Sequence, residues 1–347
     1  MTGTVGVGFA WRRIGVGGVR GHLENLHRHS RYDIRLYPED PVARWAIDRR
    51  RQTLCRSAMK TLDLSQHQLV HSHVEPEFIR QCRRAKDKGT PWVHTYHTLY
   101  FPSDWNGELQ PWQERINDAL IHEARHADRC LCISRWLQEH LQAEYDIETT
   151  YIPNGFDDRA CQIATQHIQD NEATDDRRPI VFSGSDAEVK NPTLFVSLAD
   201  RMTNHSFGMF GKGLTDHSFR STWPSRWPSN LALWGPKDHT EALATVAASR
   251  LMVVTSHSEG LPTAVMEAMA MGIAVVAPNS HGCADLIDNG QTGYLFEPNS
   301  LDDLIRAVNS ALDDPDVGCR GADSIRTTHS WPAVADQIDA VYQQLIE

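Results

Sequence analysis

The sequence predicts an α/β protein made of doubly wound parallel β-sheets. Short apolar runs of strand length alternate with amphipathic stretches of helix length through most of the chain, which is the pattern of successive βαβ units. A length of 347 residues suits two domains better than a single core. A turn signal at residues 152–157 and a polar stretch at residues 162–178 interrupt the alternation, so we place the domain boundary there.

The first alternation begins with a strand at residues 5–9, a glycine-rich turn at residues 15–18 and a helix that runs to about residue 29. Further strands are predicted from apolar runs bounded by turn residues, at residues 34–37, 69–74, 92–96 and 129–133. Helices are predicted between them from apolar residues at helical spacing, at residues 42–62, 77–88 and 112–126. This order predicts a parallel sheet.

The second alternation predicts strands at residues 180–183, 206–210, 251–254 and 274–277 and helices at residues 191–202, 240–248, 263–271 and 301–313. The chain ends in a predicted helix at residues 331–346, whose apolar residues from Val334 to Leu345 recur at helical spacing. Trp223, Trp227 and Trp234 lie in a proline-rich loop, and we expect them to anchor that loop; stacking on a sugar is the alternative.

Composition and charge exclude several classes of protein. The formal net charge of −11 argues against a protein that neutralises many nucleic-acid phosphates. No apolar run approaches the roughly 18–20 residues of a membrane span, and residues 1–10 lack the features of a signal peptide, so we expect a cytoplasmic protein. Basic clusters at residues 49–60 and 80–88 leave open an attraction to an anionic substrate or peripheral contact with a membrane surface; the alternative is an ordinary solvated helix face.

The most informative motif lies at residues 258–270, where Glu259 and Glu267 stand eight positions apart. The first glutamate is predicted on a loop, and the second lies one turn into the helix that the loop opens. The start of such a helix presents unpaired backbone N–H groups and the positive end of the helix dipole, which suit an anionic ligand. Gly260 allows close backbone approach, Pro262 suits the helix entry, and a carboxylate at this place can accept two neighbouring hydroxyls of a sugar.

The segment from Glu259 to Glu267 resembles the E-x7-E motif of the retaining glycosyltransferase family 4. The resemblance extends to shorter segments in the same order along the chain, at residues 17–18, 97, 134, 153–155, 254–256, 272–277 and 293–298. It implies the GT-B fold, in which two Rossmann-like domains with parallel sheets face each other across a cleft. We therefore expect an acceptor-side domain at residues 1–155, a nucleotide-sugar donor domain at residues 156–330 and a C-terminal helix at residues 331–347 that crosses back to the first domain.

The resemblance also implies roles for individual residues. Glu259 matches the position that holds the donor sugar, His97 the histidine beside the acceptor and the transferring sugar, and Lys190 the lysine that neutralises the donor diphosphate. We take these three as catalytic. Glu267 matches the glutamate that binds the nucleotide ribose. The other positions implied in donor binding are Gly17, Gly18, Ser185, Gly260, Leu261, Pro262 and Thr263.

One position departs from the family pattern. The family commonly has Gly-Arg where this chain has Gly184 and Ser185, so one of two cations expected at the diphosphate is missing. Lys212, Arg12 or Arg13 could replace it.

The resemblance implies transfer of a sugar from a UDP- or GDP-linked donor to an acceptor hydroxyl, with retention of anomeric configuration. It implies a front-face reaction in which the departing diphosphate helps to deprotonate the acceptor, so that neither a metal ion nor another cofactor is required. The acceptor (a glycan, a lipid-linked molecule or a small molecule) is not encoded by any local motif. Two alternatives use the same architecture: a sugar-nucleotide epimerase, and a non-catalytic nucleotide-sugar binding module, which Ser185 motivates.

Other motifs suggest different chemistry. Residues 122–126 match H-E-x-x-H, the zinc-protease pattern, but the helix that carries them leads directly into a strand, as in the glycosyltransferase pattern. The glycine turn, with Glu39 or Asp40 near the end of the next strand, suggests a dinucleotide site but does not fit G-x-G-x-x-G cleanly. The seven cysteines are scattered without a C-x-x-C pair. We therefore predict no metal site and no dinucleotide cofactor.

Overall fold

The computed structural model describes residues 3–8, 18–37, 60–104, 107–169 and 178–347. The chain divides into two compact units. The first unit comprises Met1–Gly155 together with Trp331–Glu347, and the second unit comprises Phe156–Ser330. Among the helices of the described ranges, none is long and apolar enough to cross a membrane.

The first unit contains a six-stranded parallel sheet in the order β2-β1-β3-β4-β5-β6. Numbered in chain order, its strands are β1 (Thr4–Gly8), β2 (Asp33–Tyr37), β3 (Leu69–Ser72), β4 (Trp92–Tyr96), β5 (Arg129–Cys132) and β6 (Thr150–Tyr151). Its α-helices are α1 (Gly18–His29), α2 (Pro76–Asp87), α3 (Pro111–Asp118), α4 (Arg135–Tyr145) and the C-terminal α12 (Trp331–Ile346). Because the strands are parallel, the loops that follow β3 and β4 leave the same edge of the sheet side by side.

Apolar side chains cover both faces of this sheet. Val70 and Trp92 belong to one buried cluster, while their chain neighbours Leu69 and Val93 belong to another. The alternation follows the two-residue period of a strand. Ile338 of α12 lies in the second cluster, so the C-terminal helix completes the core of the first unit.

The second unit contains a six-stranded parallel sheet in the order β12-β11-β10-β7-β8-β9. Its strands are β7 (Ile180–Ser183), β8 (Phe207–Phe210), β9 (Leu231–Leu233), β10 (Leu251–Val253), β11 (Ala274–Pro278) and β12 (Tyr294–Phe296). Its α-helices are α5 (Asp158–Gln169), α6 (Pro192–Arg201), α7 (His239–Ala247), α8 (Thr263–Ala270), α9 (His281–Leu286), α10 (Leu301–Leu312) and α11 (Val317–Thr328). A buried apolar cluster that includes Phe182, Phe195 and Leu304 joins the sheet to α6 and α10.

The predicted doubly wound parallel architecture is confirmed in both units. β4, β7 and α12 have the predicted bounds, and most other predicted elements agree within two residues. The elements that the sequence patterns missed are α4, β6, α5, β9, α9, β12 and α11. β6, β9 and β12 contain only two or three residues, which is too short for a periodic pattern to show.

Two predicted helices and the predicted polar stretch were wrong in part. Residues 60–62, predicted as the end of a helix, form a turn and coil, and residues 42–59 of that prediction lie outside the described ranges. The polar stretch at residues 162–178 begins inside α5, where Cys161 and Ala164 are buried one turn apart. Two small apolar side chains are enough to hold α5 in place, because the helix packs against the neighbouring α7 and α8.

The predicted helix at residues 112–126 changes its geometry along its length. It runs as α3 to Asp118, continues as a π-helix over Ala119–Glu123 and ends as a 3-10 turn over Ala124–His126. This break falls inside the H-E-x-x-H match. The side chain of Glu123 is engaged by Arg83, whose Nη1 lies 2.6 Å from Glu123 Oε2, and that pairing argues against a metalloprotease site.

The basic cluster at residues 80–88 is largely paired with acids. Ion pairs join Arg80 to Glu77, Arg83 to Glu123, Lys86 to Asp128 and Lys88 to Asp63. This arrangement favours a solvated helix face for α2. In the second unit, Trp223 and Trp227 pack against the apolar core as loop anchors, and Trp234, which directly follows β9, stacks on Phe210.

Candidate active site

In the second unit, Lys190 and Glu259 meet although 69 positions separate them in the sequence. Lys190 Nζ donates to Glu259 Oε1 at 2.5 Å, and Ser256 Oγ donates to the same oxygen at 2.7 Å. The lysine lies in the turn after β7 and the glutamate in the loop after β10, and these two strands are paired neighbours. The parallel topology therefore brings both side chains to the carboxyl edge of the sheet.

Hydrogen bonds to backbone carbonyl oxygens fix the relative position of these two loops. Thr255 Oγ1 donates to the carbonyl oxygens of Lys190 at 3.0 Å and Asn191 at 2.8 Å, and the amide of His257 donates to the carbonyl oxygen of Val189 at 2.8 Å. The Lys190 side chain is 32% exposed and that of Glu259 is 16% exposed. A ligand can thus reach the pair, while water screens it less than a surface pair.

The loop from Glu259 to Pro262 opens α8 and is held by a neighbouring glycine. The amide of Gly282 donates to the carbonyl oxygen of Glu259 at 3.0 Å, and a Cβ at position 282 would lie 2.1 Å from the carbonyl oxygen of Gly260. Leu261 is buried, and Pro262 is the N-cap of α8, so Thr263 is its first residue. The predicted donor-binding loop is therefore the rigid start of a helix whose first amides have no partner within the helix.

Glu267 lies one turn into α8, as predicted, and its carboxylate already has a partner. His239 Nε2 lies 2.8 Å from Glu267 Oε1, with the histidine side chain 60% exposed and the glutamate side chain 15% exposed. The hydrogen bond to Glu267 is the main cause that raises the pKa of His239 above its usual value of 6.5. Sequence reasoning missed His239, which is the first residue of α7, directly after the N-cap Asp238.

Ser185 lies in the loop after β7, where its Oγ accepts from the amide of Ala187 at 3.3 Å. The amide of Asp186 donates to the carbonyl oxygen of Lys212 at 3.0 Å, so the loops that carry Ser185 and Lys212 are neighbours. Lys212 itself is exposed. Lys212 therefore remains available as the second cation, while Gly17, Arg12 and Arg13 lie outside the described ranges, and Gly18 is the first residue of α1.

In the first unit, His97 belongs to a group of five buried histidines, which we call the histidine cluster. Ring contacts join four of its members, and His94 is the fifth, close enough to act electrostatically on three of the others. The four in ring contact are His22, His71, His73 and His97. His97 directly follows β4, and His73 directly follows β3. His97 Nε2 lies 2.9 Å from His73 Nδ1. His22 of α1 stacks edge-on against His97, with ring centroids 4.8 Å apart.

Other polar groups of the first unit hold these rings in place. His22 Nδ1 donates to Asn154 Oδ1 at 2.8 Å. His71 is held by the Tyr342 hydroxyl at 2.5 Å and by Thr95 Oγ1 at 2.7 Å, and His94 Nδ1 lies 2.8 Å from Ser72 Oγ. The buried strands and α12 thus supply the partners that orient the cluster.

Burial keeps the histidine cluster uncharged at neutral pH. It lowers the pKa of His22 to about 4 and that of His94 to about 3, and it holds the pKa values of His71, His73 and His97 well below the usual 6.5. A neutral imidazole offers one N–H donor and one lone pair, so it can orient a hydroxyl without adding charge. Among the described residues, His22, His73 and His97 are the only group of three or more metal-ligating side chains that lie close together.

The buried cysteines near the acidic residues are unsuited to nucleophilic catalysis. Burial raises the pKa of Cys283, and also that of Cys161, whose Sγ contacts the carbonyl oxygen of Glu267 at 3.9 Å. The reactive form of cysteine is the thiolate, which burial disfavours at both positions.

Comparison with known proteins decides the family. A family model described as Glycosyltransferase Family 4 matches residues 16–160, and a second described as Glycosyl transferases group 1 matches residues 164–322. The chain belongs to glycosyltransferase family 4. The family and the enzyme class that the sequence resemblance implied are confirmed.

Two relatives illustrate the range of similarity within the family. The UDP-Gal:alpha-D-GlcNAc-diphosphoundecaprenol alpha-1,3-galactosyltransferase of Escherichia coli is 26% identical over 277 residues, which are 74% of this chain and 70% of that protein. A glycogen synthase of Mycobacterium tuberculosis is 36% identical over 112 residues, which are 31% of this chain. That match spans only 27% of the length of the glycogen synthase.

Solved structures agree over nearly the whole chain. The sucrose-phosphate synthase of Thermosynechococcus elongatus superposes with a TM-score of 0.75 at 18% identity and covers 99% of both chains. The Anabaena protein HepE in complex with UDP-glucose gives a TM-score of 0.74 at 15% identity and covers 99% of this chain and all of that one. Together with the two parallel sheets, these likenesses confirm the Rossmann-like sheets of the GT-B fold.

Proposed function

We propose that this protein transfers a sugar from a nucleoside diphosphate sugar to an acceptor hydroxyl with retention of anomeric configuration. The observation that carries the proposal is the Lys190–Glu259 pair, with its 2.5 Å contact at the start of α8. The lysine cation there suits the diphosphate of such a donor, and the carboxylate suits its sugar hydroxyls. The unpaired amides at the helix start suit the negative charge that develops on the leaving diphosphate.

Donor recognition divides among these groups. Lys190 and the amides of Gly260, Leu261 and Thr263 bind the diphosphate. Glu259 accepts hydrogen bonds from the sugar hydroxyls, and Glu267 accepts them from the ribose. Since Lys190 and Glu259 are paired without a donor, the donor exchanges that ion pair for contacts of its own. A UDP-linked donor is the first choice, because a family relative acts on UDP-Gal and the Anabaena protein is described with UDP-glucose.

The reaction needs no nucleophile and no metal ion from the protein. The bond between the anomeric carbon and the diphosphate oxygen breaks, the acceptor oxygen bonds to the same face of that carbon, and the acceptor proton passes to the departing diphosphate. Lys190 stabilises the charge that grows on the diphosphate. His97, which is neutral, orients the acceptor hydroxyl through a hydrogen bond and does not compete for that proton.

The test is transfer by the purified chain from UDP- and GDP-sugars to a panel of acceptor hydroxyls, with the products identified by NMR. The wild type should form an α- or β-linked product with the configuration of the donor, and EDTA should leave the rate unchanged. The variant Glu259→Ala should lower kcat/KM roughly 100- to 1,000-fold, because the transition state loses a fixed polar partner. Asp323→Ala, which removes an exposed carboxylate of the same unit, is the matched control and should keep the wild-type rate.

Each alternative has its own result in the same assay. An altered sugar nucleotide released without any acceptor would identify an epimerase. Tight donor binding without turnover on any acceptor would identify a binding module, for which Ser185 in place of the family arginine would be the reason. An inverted product, or complete loss of activity with EDTA, would contradict the proposed mechanism.

A further inference from the structure

We infer that His22, His73 and His97 of the first unit form a binding site for one divalent transition-metal ion of the zinc class. Each residue offers one ring nitrogen, and the three nitrogens lie within 4.8 Å of one another. The side chains come from three separate elements: α1 and the loops after β3 and β4. Three imidazoles with a fourth position left for water are a common ligand set for zinc.

The spacing of two of the rings already matches coordination. His73 Nδ1 and His97 Nε2 are 2.9 Å apart. Two nitrogens bound to one tetrahedral ion, each at about 2.0–2.1 Å, lie roughly 3.3 Å from each other. A shift of a few tenths of an ångström would therefore let an ion take the place of the hydrogen bond between the two rings.

His22 is prepared as the third ligand. Its Nδ1–H donates to Asn154 Oδ1, so the lone pair lies on Nε2. That Nε2 is buried and has no hydrogen-bond partner among the described residues. A histidine that ligates a metal through one nitrogen usually donates its other N–H to a carbonyl or carboxylate oxygen, and Asn154 supplies that oxygen.

Burial and the protonation state of the three rings also suit a metal ion. His22 and His73 are 2% exposed and His97 is 4% exposed. Neutral imidazole, the form that burial maintains here, is the form that binds metal. Imidazole donors favour zinc, copper or nickel over magnesium and calcium.

The ion would inhibit transfer, and this consequence rests on the proposed function. A metal bound to His97 occupies the lone pair that otherwise orients the acceptor hydroxyl. His97 cannot bind the metal ion and orient the acceptor hydroxyl at the same time. The transfer reaction therefore proceeds on the metal-free protein, and the metal site does not conflict with a mechanism that needs no metal.

The test is calorimetric titration of the chelator-stripped full-length chain with Zn²⁺ and, in parallel, with Mg²⁺. We expect one Zn²⁺ per chain, no comparable Mg²⁺ binding and loss of the Zn²⁺ site in His22→Gln. Asn154→Ala should keep the stoichiometry but weaken Zn²⁺ binding roughly 10- to 100-fold, because the orienting partner of His22 is removed. His94→Gln, a buried member of the same cluster outside the three ligands, is the matched control and should bind Zn²⁺ as the wild type does.

X-ray absorption on the Zn²⁺-loaded wild type keeps the test decisive if a variant does not fold. We expect three imidazole nitrogens at about 2.0–2.1 Å from the metal. A shell of oxygen or sulfur donors, an absence of one-to-one binding by the wild type, or unchanged binding by a folded His22→Gln variant would overturn the site. Zinc binding at these histidines with undiminished transfer would support the metal site and reject only the role proposed for His97.

Discussion

The two units carry polar clusters of opposite electrostatic character. In the second unit, Lys190 pairs with Glu259 and His239 with Glu267, in partly exposed positions that a charged ligand can reach. In the first unit, five histidines are buried and uncharged. The difference follows from the surroundings, since the ion pairs of the second unit are partly exposed to water, whereas burial disfavours the charged form of the imidazoles in the first unit.

This difference corresponds to the two halves of the proposed reaction. Charge changes most on the diphosphate, so charged groups are effective where the donor binds. The acceptor hydroxyl is neutral until late in the reaction, so neutral hydrogen-bonding groups are enough to hold it. A change confined to one cluster should therefore leave the function of the other cluster largely unaffected.

The largest expected effect is on stability, and it concerns the first unit alone. The folded pKa values of the five cluster histidines lie below the usual 6.5, so the unfolded chain binds protons more readily. Their contribution is complete above about pH 6.5 and is lost as the pH falls, by about 1.4 kcal/mol per histidine and pH unit. One unit below pH 6.5 the first unit should lose roughly 5–7 kcal/mol, which approaches the whole stability of a domain.

Hydrogen exchange measured by mass spectrometry at about pH 7.5 and about pH 5.5 tests this prediction. Peptides from β3 and β4 should lose protection at the lower pH while peptides from β10 and β11 keep it. In the second unit, burial lowers the pKa of His329 to about 4. His329 is therefore one such acid-sensitive histidine in the second unit, compared with the five of the histidine cluster in the first unit. Loss of protection in the second unit first, or in both together, would contradict the assignment of acid sensitivity to the histidine cluster.

The next largest effect is expected from His97→Gln. The variant keeps a polar side chain but loses the imidazole geometry that orients the acceptor, so kcat should fall roughly 100-fold. The Kd for the nucleoside diphosphate should not change, because His97 is not among the groups proposed to bind the diphosphate or the ribose. Steady-state kinetics and calorimetry check the two statements.

The control for this prediction is His94→Gln, which removes a buried ring that contacts Tyr96 and Ser72. It should lower the unfolding temperature and leave kcat of the folded protein near the wild-type value. Equal loss of kcat in both variants would show that His97 acts only through the packing of the cluster.

The sequence was sufficient to predict elements with clear periodicity and the motif at the start of α8. It correctly placed Glu259 on a loop and Glu267 one turn into the helix, because both follow from the local pattern of residues 258–270. It missed α4, although Ser134 caps this helix by accepting from the amide of Leu137. Only Leu137 and Leu141 of α4 are buried, which is a weak periodic signal.

The histidine cluster and the His239–Glu267 pair were beyond local patterns because both depend on contacts distant in sequence. His73 could have been inferred: it follows β3, β3 pairs with β4, and His97 follows β4, so parallel topology brings the two loops together. His22 and Asn154 are 132 positions apart, and no spacing rule relates them. The same holds for His239, whose distance to Glu267 is set by the packing of α7 against α8.

A smaller effect is expected from Lys190→Ala. Loss of one charged hydrogen bond to the diphosphate should weaken binding of the free nucleoside diphosphate roughly 10- to 100-fold. Lys212→Ala tests whether a second cation acts near Ser185. If it does, this variant should also bind the nucleoside diphosphate more weakly, but by a smaller factor, because Lys212 is exposed. Calorimetry measures both affinities. Wild-type affinity in Lys190→Ala would show that the phosphates bind elsewhere.

The smallest effect concerns the His239–Glu267 pair and its dependence on pH. The folded pKa of His239 is raised, so the pair stabilises the second unit fully below about pH 6.5, and this contribution disappears as the pH rises through the raised pKa. Because the histidine is more exposed than buried, we expect at most about 1 kcal/mol. Urea unfolding at about pH 6 and about pH 8 should therefore show a small difference in the wild type that His239→Asn removes.

The same pair should tune donor affinity. Protonated His239 competes with the ribose hydroxyls for Glu267, so binding of the nucleoside diphosphate should tighten as the pH rises, by at most about fivefold. His239→Asn should bind the nucleoside diphosphate with an affinity that changes less over this range, because its amide carries no titrating charge. If wild type and variant show the same pH dependence, Glu267 does not receive the ribose, and the ribose-binding role would have to be assigned to another part of the second unit.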